Sequence, residues 1–69
     1  MKRWHFPAED ITRVMAAMRQ RMGGTFSDLY SQTGNDVVGV LISSTNATFI
    51  AAMDAVVEEL GTGTVQPAA

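Results

Sequence analysis

The stretch that most constrains the fold is residues 36–44, because it contains the longest apolar run of the chain, residues 37–42. In a strand, successive side chains point to opposite faces, and here both faces would be apolar. Val38, Val40 and Ile42 would share one face, and Val37, Gly39 and Leu41 the other. Strands of this kind are usually central and covered on both sides. We therefore expect a sheet organised around a strand at residues 37–43.

Before this stretch, the chain predicts a strand at residues 2–6 and a helix at residues 8–22. Trp4 and Phe6 alternate with Arg3 and His5, so each pair would occupy one face of the strand. Pro7 ends the pairing because it has no N–H to donate. The helix is indicated by an apolar stripe at spacings of three and four, formed by Ile11, Val14, Met15, Met18 and Met22. Gly23-Gly24 would end it.

The remaining segments predict a hairpin, a second helix and a last short strand. Residues 25–32 alternate imperfectly and suit an edge strand, and residues 33–36 read as a turn. Residues 44–46 offer three N-caps for a helix that Gly61 would end. Its apolar stripe is Phe49, Ile50, Met53, Val56, Val57 and Leu60. Residues 62–66 could form the final strand, and we expect residues 67–69 to be a frayed tail.

The predicted order is strand, helix, strand, strand, helix, strand, which resembles the ferredoxin-like superfold. The fold class is therefore α+β, as a single domain spanning residues 1–66. This resemblance implies a four-stranded antiparallel sheet with both helices on one face, since the crossovers are right-handed. It also makes the first and third strands central. The helices would cover Trp4, Phe6 and one of the two apolar sets of the third strand.

The second apolar set would then project from the face without helices, beside Arg3 and His5. A chain of 69 residues buries only roughly 60% of its unfolded surface, and without cysteines no disulfide can supplement the core. We therefore expect this face to meet a second copy of the chain or another protein, with a small-molecule ligand also possible. The candidate binding residues are Arg3, His5, Tyr30, Val37, Gly39 and Leu41.

Catalytic, metal and cofactor sites are not indicated. His5 is the only histidine and has no partner at ligand spacing. The acidic pairs at residues 9–10 and 58–59 are helical neighbours, which point about 100° apart and so cannot share a proton. The glycine clusters follow helices, whereas a phosphate loop precedes one. The formal net charge of −2 argues against nucleic acid.

Other families of this fold carry features that the chain lacks. Heavy-metal-associated domains need a cysteine pair, and acylphosphatases a glycine-rich cradle with an arginine, where residues 6–10 here read Phe-Pro-Ala-Glu-Asp. RNA-recognition domains need aromatic residues on the third strand. ACT-like regulatory modules are similar in size and element order. No apolar run approaches the ~20 residues of a membrane span, and no signal sequence is indicated, so we expect a cytoplasmic protein.

These observations predict a small non-catalytic binding or regulatory module that acts through its helix-free sheet face. Two alternatives fit the same sequence. One is a phage- or plasmid-type inhibitor or adaptor of a host protein. The other is a subunit of an enzyme whose site forms only at an oligomer interface.

Overall fold

The protein is described by a computed structural model that covers residues 1–35 and 39–66. It contains a four-stranded antiparallel sheet and two α-helices, which confirms the prediction of a small α+β domain. The strands are β1 (Lys2–Pro7), β2 (Ser31–Asn35), β3 (Gly39–Ser44) and β4 (Thr64–Gln66), and the helices are α1 (Ile11–Met22) and α2 (Ala47–Leu60). Two 3₁₀ helices, Ala8–Asp10 and Gly23–Leu29, flank α1. Residues 67–69, predicted as a frayed tail, lie outside the described residues.

The strand order is β2-β3-β1-β4, so β1 and β3 are central, as predicted for the first and third strands. The pairing of β1 with β3 is antiparallel and places Trp4 opposite Ile42 and Phe6 opposite Val40. Residues directly opposite each other share a face of the sheet. Of the two apolar sets of the third strand, Val40 and Ile42 thus lie with Trp4 and Phe6. Val38, predicted on that face as well, lies outside the described residues.

This face carries the buried core. Trp4, Phe6, Val40 and Ile42 form one cluster with side chains from both helices. The helix residues in it are Val14 and Met18 of α1, and Phe49, Met53 and Val56 of α2. Full burial of such a side chain stabilises the folded state by roughly 1.5–3 kcal/mol. Both apolar stripes seen in the sequence therefore pack against the same sheet face.

The strand predicted at residues 25–32 is wrong over residues 25–29, which are helical, whereas Ser31 and Gln32 do lie in a strand. The chain leaves α1 through Gly23, whose φ is 75°, and continues as the 3₁₀ helix Gly23–Leu29. Phe26 is buried in the core cluster, and the Arg19 guanidinium lies over its ring at 5.4 Å. The compact turn thus brings the Phe26 ring into the core beside α1, where the sequence pattern predicted an extended segment.

β2 consequently begins only at Ser31 and includes residues 33–35, which were predicted as part of the turn. It pairs with β3, so the predicted hairpin partners are confirmed, with a register shift between Gln32 and Gly34. A register irregularity of this kind on an edge strand discourages pairing with other chains. The connection between β2 and β3, residues 36–38, lies outside the described residues.

The ends of α2 follow the sequence signals. The Asn46 side chain accepts a hydrogen bond from the Phe49 backbone N–H at 2.9 Å, so Asn46 is the N-cap. Gly61 ends the helix in the left-handed conformation, with φ of 64°. α1 starts later than predicted, because Ala8–Asp10 form a 3₁₀ turn before it. Asp10 fixes this turn by accepting hydrogen bonds from Arg13 and, at 2.7 Å, from the Thr62 hydroxyl.

Asp54 of α2 connects the helix layer to β1. Its carboxylate lies 2.7 Å from the Lys2 ammonium and accepts a hydrogen bond of 3.2 Å from the Trp4 indole N–H. Trp4 is fully buried, and a buried indole N–H needs such an acceptor. Asp54 therefore satisfies the one polar atom of the largest core side chain.

Replacement of Asp54 by alanine tests this link. We expect Asp54→Ala to lower the free energy of unfolding by about 1–2 kcal/mol, because it leaves the indole N–H without its acceptor. Trp4 is the only tryptophan, so its fluorescence during urea unfolding reports the change directly. Glu58→Ala, on the same helix, is the control and should cost less than about 0.5 kcal/mol. Equal effects of the two substitutions would contradict the role of Asp54.

Gly63, just before β4, gives a second test of the core. Its φ is +94°, and a Cβ added there would lie 2.8 Å from Cδ1 and 3.3 Å from Cζ of the Phe6 ring. We expect Gly63→Ala to lower the free energy of unfolding by about 2 kcal/mol, from backbone strain and displacement of the ring. Gly24→Ala is the matched control, since a Cβ there meets nothing within 4 Å. Denaturant titration of both variants should separate them; similar stabilities would refute the packing of Phe6 on Gly63.

Candidate functional site

The sheet face opposite the core is the candidate site. It is formed by the odd-numbered residues of the two central strands, which pair as Arg3 with Ser43, His5 with Leu41 and Pro7 with Gly39. We call these six residues the open face. All buried apolar side chains among the described residues belong to the cluster on the other side. The helices α1 and α2 therefore contribute none of their buried side chains to the open face.

His5 and Gly39 fit together at the centre of this face. A Cβ added at Gly39 would lie 2.8 Å from Cε1 and 2.9 Å from Nε2 of the His5 imidazole, and would also collide with the Phe6 carbonyl oxygen. The sequence suggested that the missing side chain at Gly39 leaves room for a foreign backbone or a ligand. In the structure, the His5 ring and the β1 backbone already occupy that room. The absence of a side chain at Gly39 thus leaves the space in which the imidazole lies.

The structure brings together four of the six predicted site residues. Arg3, His5, Gly39 and Leu41 lie on the open face, whereas Tyr30 does not. The Tyr30 ring stacks against Phe26 at 5.7 Å and against Phe49 of α2 at 5.2 Å between ring centroids. Tyr30 therefore belongs with the core, and its predicted place beside Arg3 and His5 is wrong. Val37 lies outside the described residues.

The open face is less apolar than the sequence suggested. Leu41 is its one large aliphatic side chain among the described residues and is half-buried, while Ser43 is only 3% exposed. Arg3 and His5 are also half-buried. The surface is thus a small aliphatic centre beside an imidazole, a guanidinium and small residues. This composition matches the polar rim and apolar centre of many protein interfaces.

The charged groups are unevenly distributed. Three of the five basic residues meet a described carboxylate: Lys2 with Asp54, Arg13 with Asp10, and Arg21 with Glu59. Arg19 lies over the Phe26 ring. Within residues 1–35 and 39–66, Arg3 has neither kind of contact. Sequence reading missed this difference, because the partners of Lys2 and Arg21 are remote along the chain.

All described carboxylates lie in helical elements. They are Glu9, Asp10, Asp28, Asp54, Glu58 and Glu59. The open face as described therefore holds cationic and neutral side chains but no acidic one. Asp36, the remaining acidic residue, lies outside the described residues.

No group of three or more metal-ligating side chains and no pocket occur in the described part of the chain. Neither described helix combines the length and the hydropathy needed to cross a bilayer. No protein-family model matches the sequence, and the searches found no similar curated protein and no similar solved structure.

The fit of His5 against Gly39 predicts a measurable coupling. We expect Gly39→Ala to lower the free energy of unfolding by at least about 2 kcal/mol, because the added methyl collides with the ring and the β1 backbone. Part of this loss should be recovered in the double variant His5→Ala/Gly39→Ala, where only the backbone collision remains. A double-mutant cycle from denaturant unfolding measures the difference. Strict additivity of the two substitutions would show that the imidazole does not lie on Gly39.

Proposed function

We propose that this protein is a small, non-catalytic binding module with ferredoxin-like βαββαβ topology, which recognises another protein through its open face. The strand order β2-β3-β1-β4 supports this topology, since a helix connects β1 to β2 and another connects β3 to β4. The observation that carries the proposal is the pairing of His5 with Leu41. It places an imidazole and an aliphatic side chain together at the centre of the face that receives no buried helix residue.

The chemistry of the pair suits recognition. A half-buried leucine has apolar surface that a partner can remove from water, at roughly 25 cal/mol per Å². His5 and Arg3 supply hydrogen-bond donors at its edge, which would fix the orientation of the partner. Few residues usually carry most of the energy of an interface, and they cluster near its centre. Leu41, with His5 beside it, is in that position.

The small size of the chain also favours an interface. Burial of this face would also add to a core that is small in a 69-residue chain.

The proposal predicts that Leu41 is needed for complex formation. The tagged full-length protein should be recovered from its source cell in a complex, whose mass and composition native mass spectrometry determines. We expect Leu41→Ser to abolish or weaken this complex at least about tenfold, since apolar contact at the centre of the face is lost. Backbone amide NMR spectra should show that the variant remains folded.

Val65→Ser is the matched control, because Val65 is an equally aliphatic but half-exposed residue of the edge strand β4. It should leave the complex intact. If Leu41→Ser and the unmodified protein are recovered with the same partners in the same amounts, the open face is not the binding surface. The composition of the complex also separates a second copy of the chain from a foreign protein.

A further inference from the structure

The open face differs from the rest of the surface in its charge. Every described carboxylate lies in a helical element. Of the five basic residues, four contact either a carboxylate or an aromatic ring. Arg3 is half-buried on the open face and meets no carboxylate among residues 1–35 and 39–66. A guanidinium is always charged and has five donors in a fixed planar arrangement. It binds a carboxylate or a phosphate through two parallel hydrogen bonds, and in a protein partner the common group of this kind is the carboxylate of Asp or Glu.

A second copy of the chain is a poor electrostatic match for this face. In a two-fold symmetric dimer the same patch supplies both sides of the interface. Two open faces would then bring their Arg3 side chains into one interface, and the described residues of the face contain no carboxylate to neutralise them. Like charges at an interface disfavour association. A foreign partner with acidic residues avoids this cost.

Nucleic acid is a poor match as well. A phosphate backbone requires several clustered cations, whereas the open face holds one arginine and one histidine. The excess of carboxylates on the helical elements, in a chain of net charge −2, would repel a long polyanion. A short protein segment instead presents only the few charges that meet the open face.

We infer that the open face binds an acidic segment of another protein, with a carboxylate of the partner on Arg3 and an aliphatic side chain of the partner on Leu41. This inference rests on the proposed function and adds the chemical class of the partner. The His5 imidazole lies against Gly39, which pairs with Pro7 and not with the neighbour of Arg3. Arg3 is therefore the residue that selects an acidic partner over a neutral one.

Peptide titration of the full chain tests this. The probes are three 12-residue peptides in which pairs of leucines alternate with pairs of glutamates, glutamines or lysines, and binding is followed by backbone amide NMR shifts. The glutamate peptide should shift the amides of Arg3, His5 and Leu41 and bind at least about tenfold more tightly than the glutamine peptide. Its affinity should fall as salt is raised, because salt screens the ion pair. The lysine peptide should not bind.

Arg3→Gln should remove the preference for glutamate over glutamine, because it removes the charge that selects a carboxylate. Arg13→Gln is the control, since Arg13 is an exposed arginine of α1 that already meets Asp10, and it should retain the full preference. If the preference persists in Arg3→Gln or is lost in Arg13→Gln, the inference is wrong.

Other outcomes separate this inference from the proposed function. Equal binding of the glutamate and glutamine peptides at the open face would overturn the acidic partner and leave the binding face in place. A different outcome is that no peptide shifts the amides of the open face and that the protein forms a homodimer, which Leu41→Ser dissociates. This outcome would identify a second copy as the occupant and overturn the inference. Tighter binding of a 12-nucleotide single-stranded RNA than of the glutamate peptide at these residues would also overturn it. If neither a peptide, the RNA nor a second copy engages the face, both proposals fail.

Discussion

The register between β1 and β3 is the constraint on which the rest of the structure depends. It sets Trp4 opposite Ile42 and Phe6 opposite Val40 on one face, and His5 opposite Leu41 on the other. Because side chains alternate along a strand, a slip of one residue in either strand would move every large apolar group to the wrong face. The core and the candidate site are therefore two consequences of one pairing.

Four aromatic rings extend this pairing into the helix layer. Trp4 meets Phe49 edge-on at 5.9 Å, Phe49 stacks on Tyr30, and Tyr30 stacks on Phe26. The rings join β1, α2 and the 3₁₀ helix Gly23–Leu29 in one connected packing. Such ring pairs stabilise beyond the area they bury, by roughly 0.5–1.5 kcal/mol each. This gain favours the coiled path after α1, which stacks Phe26 on Tyr30 and Tyr30 on Phe49.

The features that could be predicted from the sequence are those encoded by neighbouring residues. The apolar stripes of both helices, the caps at Asn46 and Gly61 and the alternation of Trp4 with His5 depend on spacings of a few positions. The prediction for residues 25–32 failed because it assumed that Tyr30 lies on the sheet. In the structure, the Tyr30 ring stacks on Phe49 of α2 instead. The ion pair of Lys2 with Asp54 could not be predicted either, because these residues are far apart in the sequence and no local pattern relates them.

The candidate site was predictable in position but not in character. Alternation placed Arg3, His5, Gly39 and Leu41 on one face, and the sequence then suggested an apolar surface with an open space at Gly39. The imidazole fills that space, and a half-buried arginine on the same face adds a positive charge. Because the His5 ring lies against a glycine of a central strand, the space that it occupies follows from the pairing of β1 with β3, which a search for local patterns in the sequence does not reveal.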